Sequence, residues 1–301
     1  MKLTAHADYS IEKYGPNIGV RYLKTLGYQN VIYTITARQL EPFWDSSDDC
    51  KIRETFGNIR KAIEDAGVNL LFAAMKEEVY HDLLTRPVET SKEMVIRAVK
   101  ATAYMGCNVL VVRPISFRRS SPEAWDKTKE LTYEIYMAAK EEADKLGVRI
   151  AFFNNSKHLC FTSGTYSYGC RTSELLELAD AFESGIVINP VYALKSGERV
   201  EELLTELGDK VLGFVIEDQA QREIARGVPF FGAVDYYGLI QYFQNHPSDM
   251  AIVMMYTPIM SRYEEFAEDM EFVTAITKAF MKMACLIANC DMRAVEKETE
   301  I

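Results

Sequence analysis

Residues able to donate, accept or hold charge recur in this chain directly after short apolar runs. Glu217 and Asp218 close the run KVLGFVIED. Neighbours on a strand point to opposite faces, so one of the two enters any pocket at the strand end, where partial burial raises a carboxyl toward general-base range. The other reading is a solvated loop acid or the partner of an arginine. Lys76 follows VNLLFAA and Lys157 stands in NNSKH; each is a candidate proton shuttle or electrophilic amine if desolvated. His6 and His158 are candidate acid/base groups for chemistry near neutral pH, or else hydrogen-bonded structural histidines. Arg113 ends NVLVVRP, a costly place for a charge unless it meets an anion or a carboxylate. With Arg118, Arg119 and Arg171 it is a candidate for bidentate binding of a phosphate or carboxylate; an internal ion pair with Glu77, Glu78 or Asp218 is the alternative.

The elements that must position these groups are legible as two alternating patterns. Eight β-branched runs read as strands: LTAHA, NVIYTI, VNLLFAA, NVLVVRP, VRIAFFN, GIVINP, KVLGFVIED and MAIVMMY. Between them lie segments of helical period. RETFGNIRKAIEDAG ends on Gly67, and TSKEMVIRAVKATAYMG ends on Gly106 with Thr90 or Ser91 as expected N-cap. A third segment runs from a Ser-Pro start at Ser121 to Gly147, TSELLELADAF and GERVEELLTELGD follow, and a last long helix is expected near Tyr263 to Ala288. Such alternation implies parallel strands with right-handed crossovers. At 301 residues a closed (βα)8 barrel is favoured over an open doubly wound sheet. The turn after the first run, HADYSIEKYG, also lacks the glycine-rich phosphate fingerprint of the open sheets. The expected fold class is therefore α/β, one barrel over residues 1–301. Its chemistry is expected at the C-terminal strand ends, which adds Asn154, Asn155, Asn189, Tyr192, Met255 and Tyr256 as candidate ligand-binding residues beside His6 and Arg113.

The segments AVKATAYMGCNVLVVRP, FFNN, VINPVYA, VIED, VPFFGAVDYYGLIQYF and IVMMY, in this order, resemble the xylose isomerase-like TIM barrels, the superfamily of sugar isomerases, epimerases and AP endonucleases. The resemblance runs from about Ala98 to Tyr256. It implies a metal-binding barrel, yet the family's four metal-ligand positions fall on Asn154, Asn189, Val215 and Met255, and a histidine that often touches metal or substrate falls on Tyr192. A hard divalent cation needs anionic oxygens or imidazole, which amides, an aliphatic chain and a thioether do not supply. No metal and no cofactor is expected. Asn154 and Asn189 are expected to hydrogen-bond each other or a water, with Met255 filling the vacated volume.

Two functions follow from the resemblance. One is a divergent barrel that binds a small sugar- or polyol-like ligand without metal-dependent catalysis. The other is an active sugar or sugar-phosphate isomerase/epimerase whose acid and base come from Glu217, Asp218, Lys76, His158 or His6. The resemblance also implies a homo-oligomer or a pairing with a related subunit. A net charge of −10 argues against nucleic acid as a partner. No apolar run approaches a membrane span, and the first residues carry no leader pattern, so a cytoplasmic protein is expected. The six cysteines form no CxxC pair and are expected to be reduced and buried. The segment LCFTSGTYSYGCRTS, rich in small residues and tyrosine, is expected to form a loop at the catalytic face, as a lid or a subunit contact.

Overall fold

The computed structural model describes residues 1–40, 49–75, 87–115, 122–156, 158–160, 163–165, 168–218, 230, 232–246, 248–254, 271, 274–276, 278–280 and 282. The first half of the chain holds β1 (Lys2–His6), α1 (Asp8–Tyr14), α2 (Pro16–Thr25), β2 (Asn30–Ile35), α3 (Ala37–Leu40) and α4 (Cys50–Ala66). It continues with β3 (Asn69–Met75), α5 (Val88–Tyr104), β4 (Val109–Val112), α6 (Pro122–Leu146) and β5 (Arg149–Phe153). Next come β6 (His158–Cys160), β7 (Ser163–Thr165), α7 (Thr172–Ala181), β8 (Ile186–Ile188), α8 (Pro190–Ser196) and α9 (Val200–Leu207). The last elements are β9 (Val211–Ile216), α10 (Tyr236–Asn245) and β10 (Ala251–Met254).

Eight of these strands close a parallel barrel in the order β1-β10-β9-β8-β5-β4-β3-β2. All eight runs expected from the sequence are in it. The remaining pair, β6 and β7, is an antiparallel hairpin in which His158 faces Thr165. It occupies the segment expected to be a loop; two three-residue strands are too short to leave a periodic signal.

Alternation along each strand divides the apolar residues into two sets. Val31, Tyr33, Ala73, Leu110, Phe152, Ile188 and Phe214 face the helices. Ile32, Phe72, Val111, Phe153, Val187, Val215 and Val253 fill the lumen. Phe72 reaches across it: a Cβ on Gly213 would come within 3.2 Å of the Phe72 ring. That glycine leaves room for the phenyl plug, and the lower lumen is solid. Outside the barrel, Phe152 is fully buried between the rings of Tyr136 and Phe182, with centroids 5.6 and 4.9 Å away.

Helix α4 shows how local sequence produces this packing. Ile52, Phe56, Ile59, Ile63 and Ala66 recur at helical spacing and are all buried. Gly67 then takes a left-handed φ of 63°, and its N–H caps the carbonyls of Ile63 and Glu64. Cys50 begins this helix off the buried stripe and is exposed, a correction to the expectation that the cysteines are buried; Cys107 and Cys170 are buried thiols outside any disulfide. Helix α5 starts earlier than Thr90 or Ser91. Its N-cap is Pro87, whose carbonyl already accepts from the Ser91 N–H.

The segment after β1 is also helical. Gly15, at φ 79°, separates α1 from α2, and Pro16 opens α2 with its φ already suited to a first turn. The two helices cross closely at Gly19, where an added Cβ would lie 2.4 Å from the Ser10 carbonyl oxygen. Backbone cannot yield as a side-chain tip does, so Gly19→Ala is expected to cost about 3 kcal/mol, read as a lowered urea midpoint with unchanged slope. No helix among the described residues is long and apolar enough to cross a membrane.

Candidate functional site

The lumen opens at the C-terminal strand ends, and there its lining changes from apolar to polar. Three segments build one side of the mouth: the ends of β5, β8 and β9. Asn154 and Asn189 hold the first two together. The Asn154 amide donates to the Asn189 carbonyl at 3.1 Å, and its Oδ1 accepts from the Asn189 N–H at 2.7 Å. The expected bond between the two asparagines is present, as a side chain gripping a backbone. The Asn189 side chain is then free for other work. Its Oδ1 caps α8, accepting from the N–H groups of Val191 (2.9 Å) and Tyr192 (3.3 Å), and its amide donates to Glu217 Oε2. Asn-Pro at a strand end is the sequence signal for this cap, because Asn suits the cap position and Pro the first helical one.

Glu217 and Asp218 part as neighbours on a strand do. Glu217 continues the lumen-facing series of Gly213 and Val215 and is 8% exposed. Asp218 turns the other way, where its two oxygens accept from the N–H groups of Gly232 at 2.8 Å and Val234 at 3.1 Å. Asp218 therefore ties down the chain that leads into α10. Tyr236, at the start of that helix, donates its hydroxyl to the Glu217 carbonyl at 2.7 Å. Burial first, and the Asp218 and Glu217 charges second, hold this phenol protonated well above its ordinary range.

Arg113 follows β4 on the lumen side. Its guanidinium lies 5.2 Å from the Phe153 ring centre and 4.9 Å from that of Tyr192, and it donates to the Tyr192 hydroxyl at 3.0 Å. Two aromatic faces thus orient a planar cation at the mouth. The Arg113 carbonyl accepts from the Tyr136 hydroxyl at 2.6 Å, which fixes the backbone beneath it. Asn155 is engaged differently from its neighbour. Both hydrogens of its amide go to carbonyls, of Pro114 (2.9 Å) and Tyr168 (2.8 Å), so it staples the exit of β4 to the chain after the hairpin. Sequence reasoning did not single out Glu174, whose Oε2 accepts from the N–H groups of Gly169, Cys170 and Arg171 and holds that chain in place.

On the far wall His6 ends β1 in register with lumen-facing Ile32 of β2. Its Nδ1 is 3.2 Å from Thr34 Oγ1 and 3.4 Å from Asp8 Oδ1. Tyr33, beside it in sequence, faces outward; burial, with the Asp8 and Glu12 charges adding to it, pushes its phenol up to about 12. Lys76, Lys157, Arg118, Arg119, Met255 and Tyr256 lie outside the described residues, and so does the His158 side chain, although its backbone begins β6. The structure thus brings together Arg113, Tyr192, Asn189 and Glu217, with His6 across the lumen.

Three of the four positions that the resemblance assigns to metal ligands, Asn154, Asn189 and Val215, are described, and none offers a charged donor. Val215 has no donor atom, and the side-chain oxygens of Asn154 and Asn189 already accept backbone hydrogen bonds. Among the described residues no three His, Cys, Asp or Glu side chains group to hold a metal.

No family model and no curated protein matches the chain by sequence. Solved structures do match in three dimensions. A D-allulose 3-epimerase from Methylomonas sp. superposes with a TM-score of 0.68 at 10% identity, covering 94% of this chain and 98% of its own. A xylose isomerase domain protein from Planctomyces limnophilus gives 0.63 at 13% identity, covering 96% and 99%. The chain has the xylose isomerase-like barrel fold. A third structure with this fold, the IolI protein with a bound zinc atom, gives 0.63 at 15% identity over 96% of this chain and 99% of that one. Identities this low carry the fold and not the chemistry, which rests on the site itself.

Proposed function

We propose that the barrel mouth binds a small sugar- or polyol-like ligand through protein groups alone, without metal-dependent catalysis. The observation that carries this reading is the closed amide network of Asn154 and Asn189. Where a cation would need charged oxygens, the chain spends two amides on holding β5 to β8, starting α8 and donating to Glu217. The remaining groups suit a hydroxylated ligand: a guanidinium, a tyrosine, a carboxylate and an imidazole around an apolar floor. The fold neighbours support the ligand class, since proteins such as the D-allulose 3-epimerase act on sugars.

A second reading is an active isomerase or epimerase that uses protein acid/base groups. Glu217 favours it, as a largely buried carboxylate directed at the lumen with Arg113 at the same mouth to stabilise a developing oxyanion. Two measurements separate the readings. Elemental mass spectrometry of protein prepared without chelator is expected to find no stoichiometric Mn, Zn, Mg or Co; a stoichiometric metal would reject the metal-free reading. Incubation with a sugar panel in deuterated water is expected to leave every C–H position unlabelled. Deuterium on a sugar carbon would establish the second reading in place of the first.

A further inference from the structure

We infer that Tyr236 is a positioning residue of the mouth: its hydroxyl sets where the Glu217 carboxylate stands in the lumen. This rests on the reading of the mouth as a sugar site with Glu217 in its lining. Glu217 lies one residue past β9, which ends at Ile216. The described strand pairing stops short of it on both sides, at Ile216 with Met254 of β10 and at Phe214 with Ile188 of β8. There the Glu217 peptide carbonyl accepts from the Tyr236 hydroxyl at 2.7 Å, a bond that does for this residue what the ladder does along the strand.

Glu217 is thus held at both ends, from different elements. Asn189, at the start of α8, donates to the carboxylate, and Tyr236, at the start of α10, donates to the backbone. A side chain gripped only at its tip still pivots with its backbone; gripped at the root as well, its height in the lumen is set. The Tyr236 ring has little freedom of its own. It is 1% exposed, with the ring of Phe230 at 4.8 Å and that of Phe280 at 5.6 Å, nearly perpendicular. Its N–H donates to the Val234 carbonyl at 2.9 Å, and the Val234 N–H is in turn held by Asp218. Once the ring is packed, two χ angles fix the hydroxyl, and burial keeps the phenol protonated, so it has a hydrogen to donate. The packing of Phe280 thereby links the helical residues 278–280 to the placement of a lumen-facing carboxylate. A hydrogen bond from a ligand hydroxyl tolerates little misplacement, and a shift of about 0.5 Å in its acceptor is enough to weaken it.

Isothermal titration at pH 7.5 with xylitol, D-glucose and D-fructose tests the inference on wild type, Tyr236→Phe and Tyr28→Phe. Tyr28 is the matched control: it is fully buried, its hydroxyl is 2.9 Å from Thr274 Oγ1, and it precedes β2, at the barrel end opposite the mouth. Both substitutions remove one buried hydroxyl and keep the ring, so both are expected to lower Tm. Tyr236→Phe is expected to weaken the compound that wild type binds best by about fivefold or more, and Tyr28→Phe to stay within about twofold of wild type. If Tyr236→Phe does not fold, Phe280→Leu, which keeps the hydroxyl but loosens the ring that carries it, takes its place with the same expectation. A smaller loss in the mouth-side variant would overturn the inference and leave the sugar site standing. So would a loss in Tyr28→Phe as large as that in the mouth-side variant, because general loosening would then account for both. A wild-type protein that binds none of the three compounds would overturn the sugar site and this inference together.

Discussion

Asn189→Ala is expected to lower the stability of the protein by about 3 kcal/mol. The cap on α8 contributes about 1 kcal/mol of this, since two N–H groups lose their acceptor. The larger share comes from Glu217, a largely buried carboxylate that loses the amide donating to it. The Asn154 contacts survive, because they go to the Asn189 backbone. Asn189→Asp separates the two contributions. Aspartate caps a helix as well as asparagine does, so the start of α8 is kept, but two carboxylates now meet where an amide met one. Like charge raises the folded-state pKa of one of them above its unfolded value. The variant therefore regains stability as pH falls through that raised value, and loses it as pH rises. Urea denaturation at pH 7.5 and pH 5 checks the sign: the deficit relative to wild type is expected to be about 2 kcal/mol or more at the higher pH and to shrink at the lower. Magnesium or manganese is expected to raise the Tm of Asn189→Asp and to leave that of wild type unchanged. An equal deficit at both pH values would show that Glu217 does not feel position 189.

Asp218→Ala is expected to cost a similar amount, about 3 kcal/mol. The carboxylate is 1% exposed, and its removal strands the N–H groups of Gly232 and Val234, both held by charge-assisted hydrogen bonds. The effect should be local as well as global. Hydrogen exchange at residues 232–236 is expected to accelerate more than exchange in β4 or β5, because two N–H groups of that stretch lose their acceptor. Binding of a sugar ligand should weaken too, since Glu217 shares its backbone turn. Asp218→Asn keeps one acceptor and is expected to lose roughly half as much. A variant with native stability and native exchange would show that the loop is held by something else.

The barrel was legible because its strands carry the plainest signal a sequence offers. Runs such as NVIYTI and NVLVV leave no competing helical period, and glycines at 67, 106 and 147 mark where helices stop. What escaped was punctuation. The turn expected after the first run, HADYSIEKYG, is helical from Asp8 to Tyr14, and Gly15-Pro16 then separates two helices. Pro87 outranked Thr90 and Ser91 as the start of α5, since its carbonyl already serves the first turn. At the site, residue types identified the positions and long-range contacts decided their tasks. The divergence of Glu217 from Asp218 follows from strand alternation alone, but which of them meets the lumen depends on the register of β9 against β8. The orientation of Arg113 required Phe153 and Tyr192, residues 40 and 79 positions away, to arrive beside it. No local pattern encodes such a meeting. The same holds for the two asparagines, whose adjacency in space links positions 35 apart.

The phenyl plug of Phe72 against Gly213 makes the barrel a blind well. A ligand and the water it displaces must pass through the same opening, in opposite directions. Any substituent carried by the ligand has to trail outward, since nothing can be threaded through the floor. A ligand at the proposed site would therefore enter with its leading end toward Phe72. Phe72→Ala would open that floor and remove the surface on which the proposed ligand would rest.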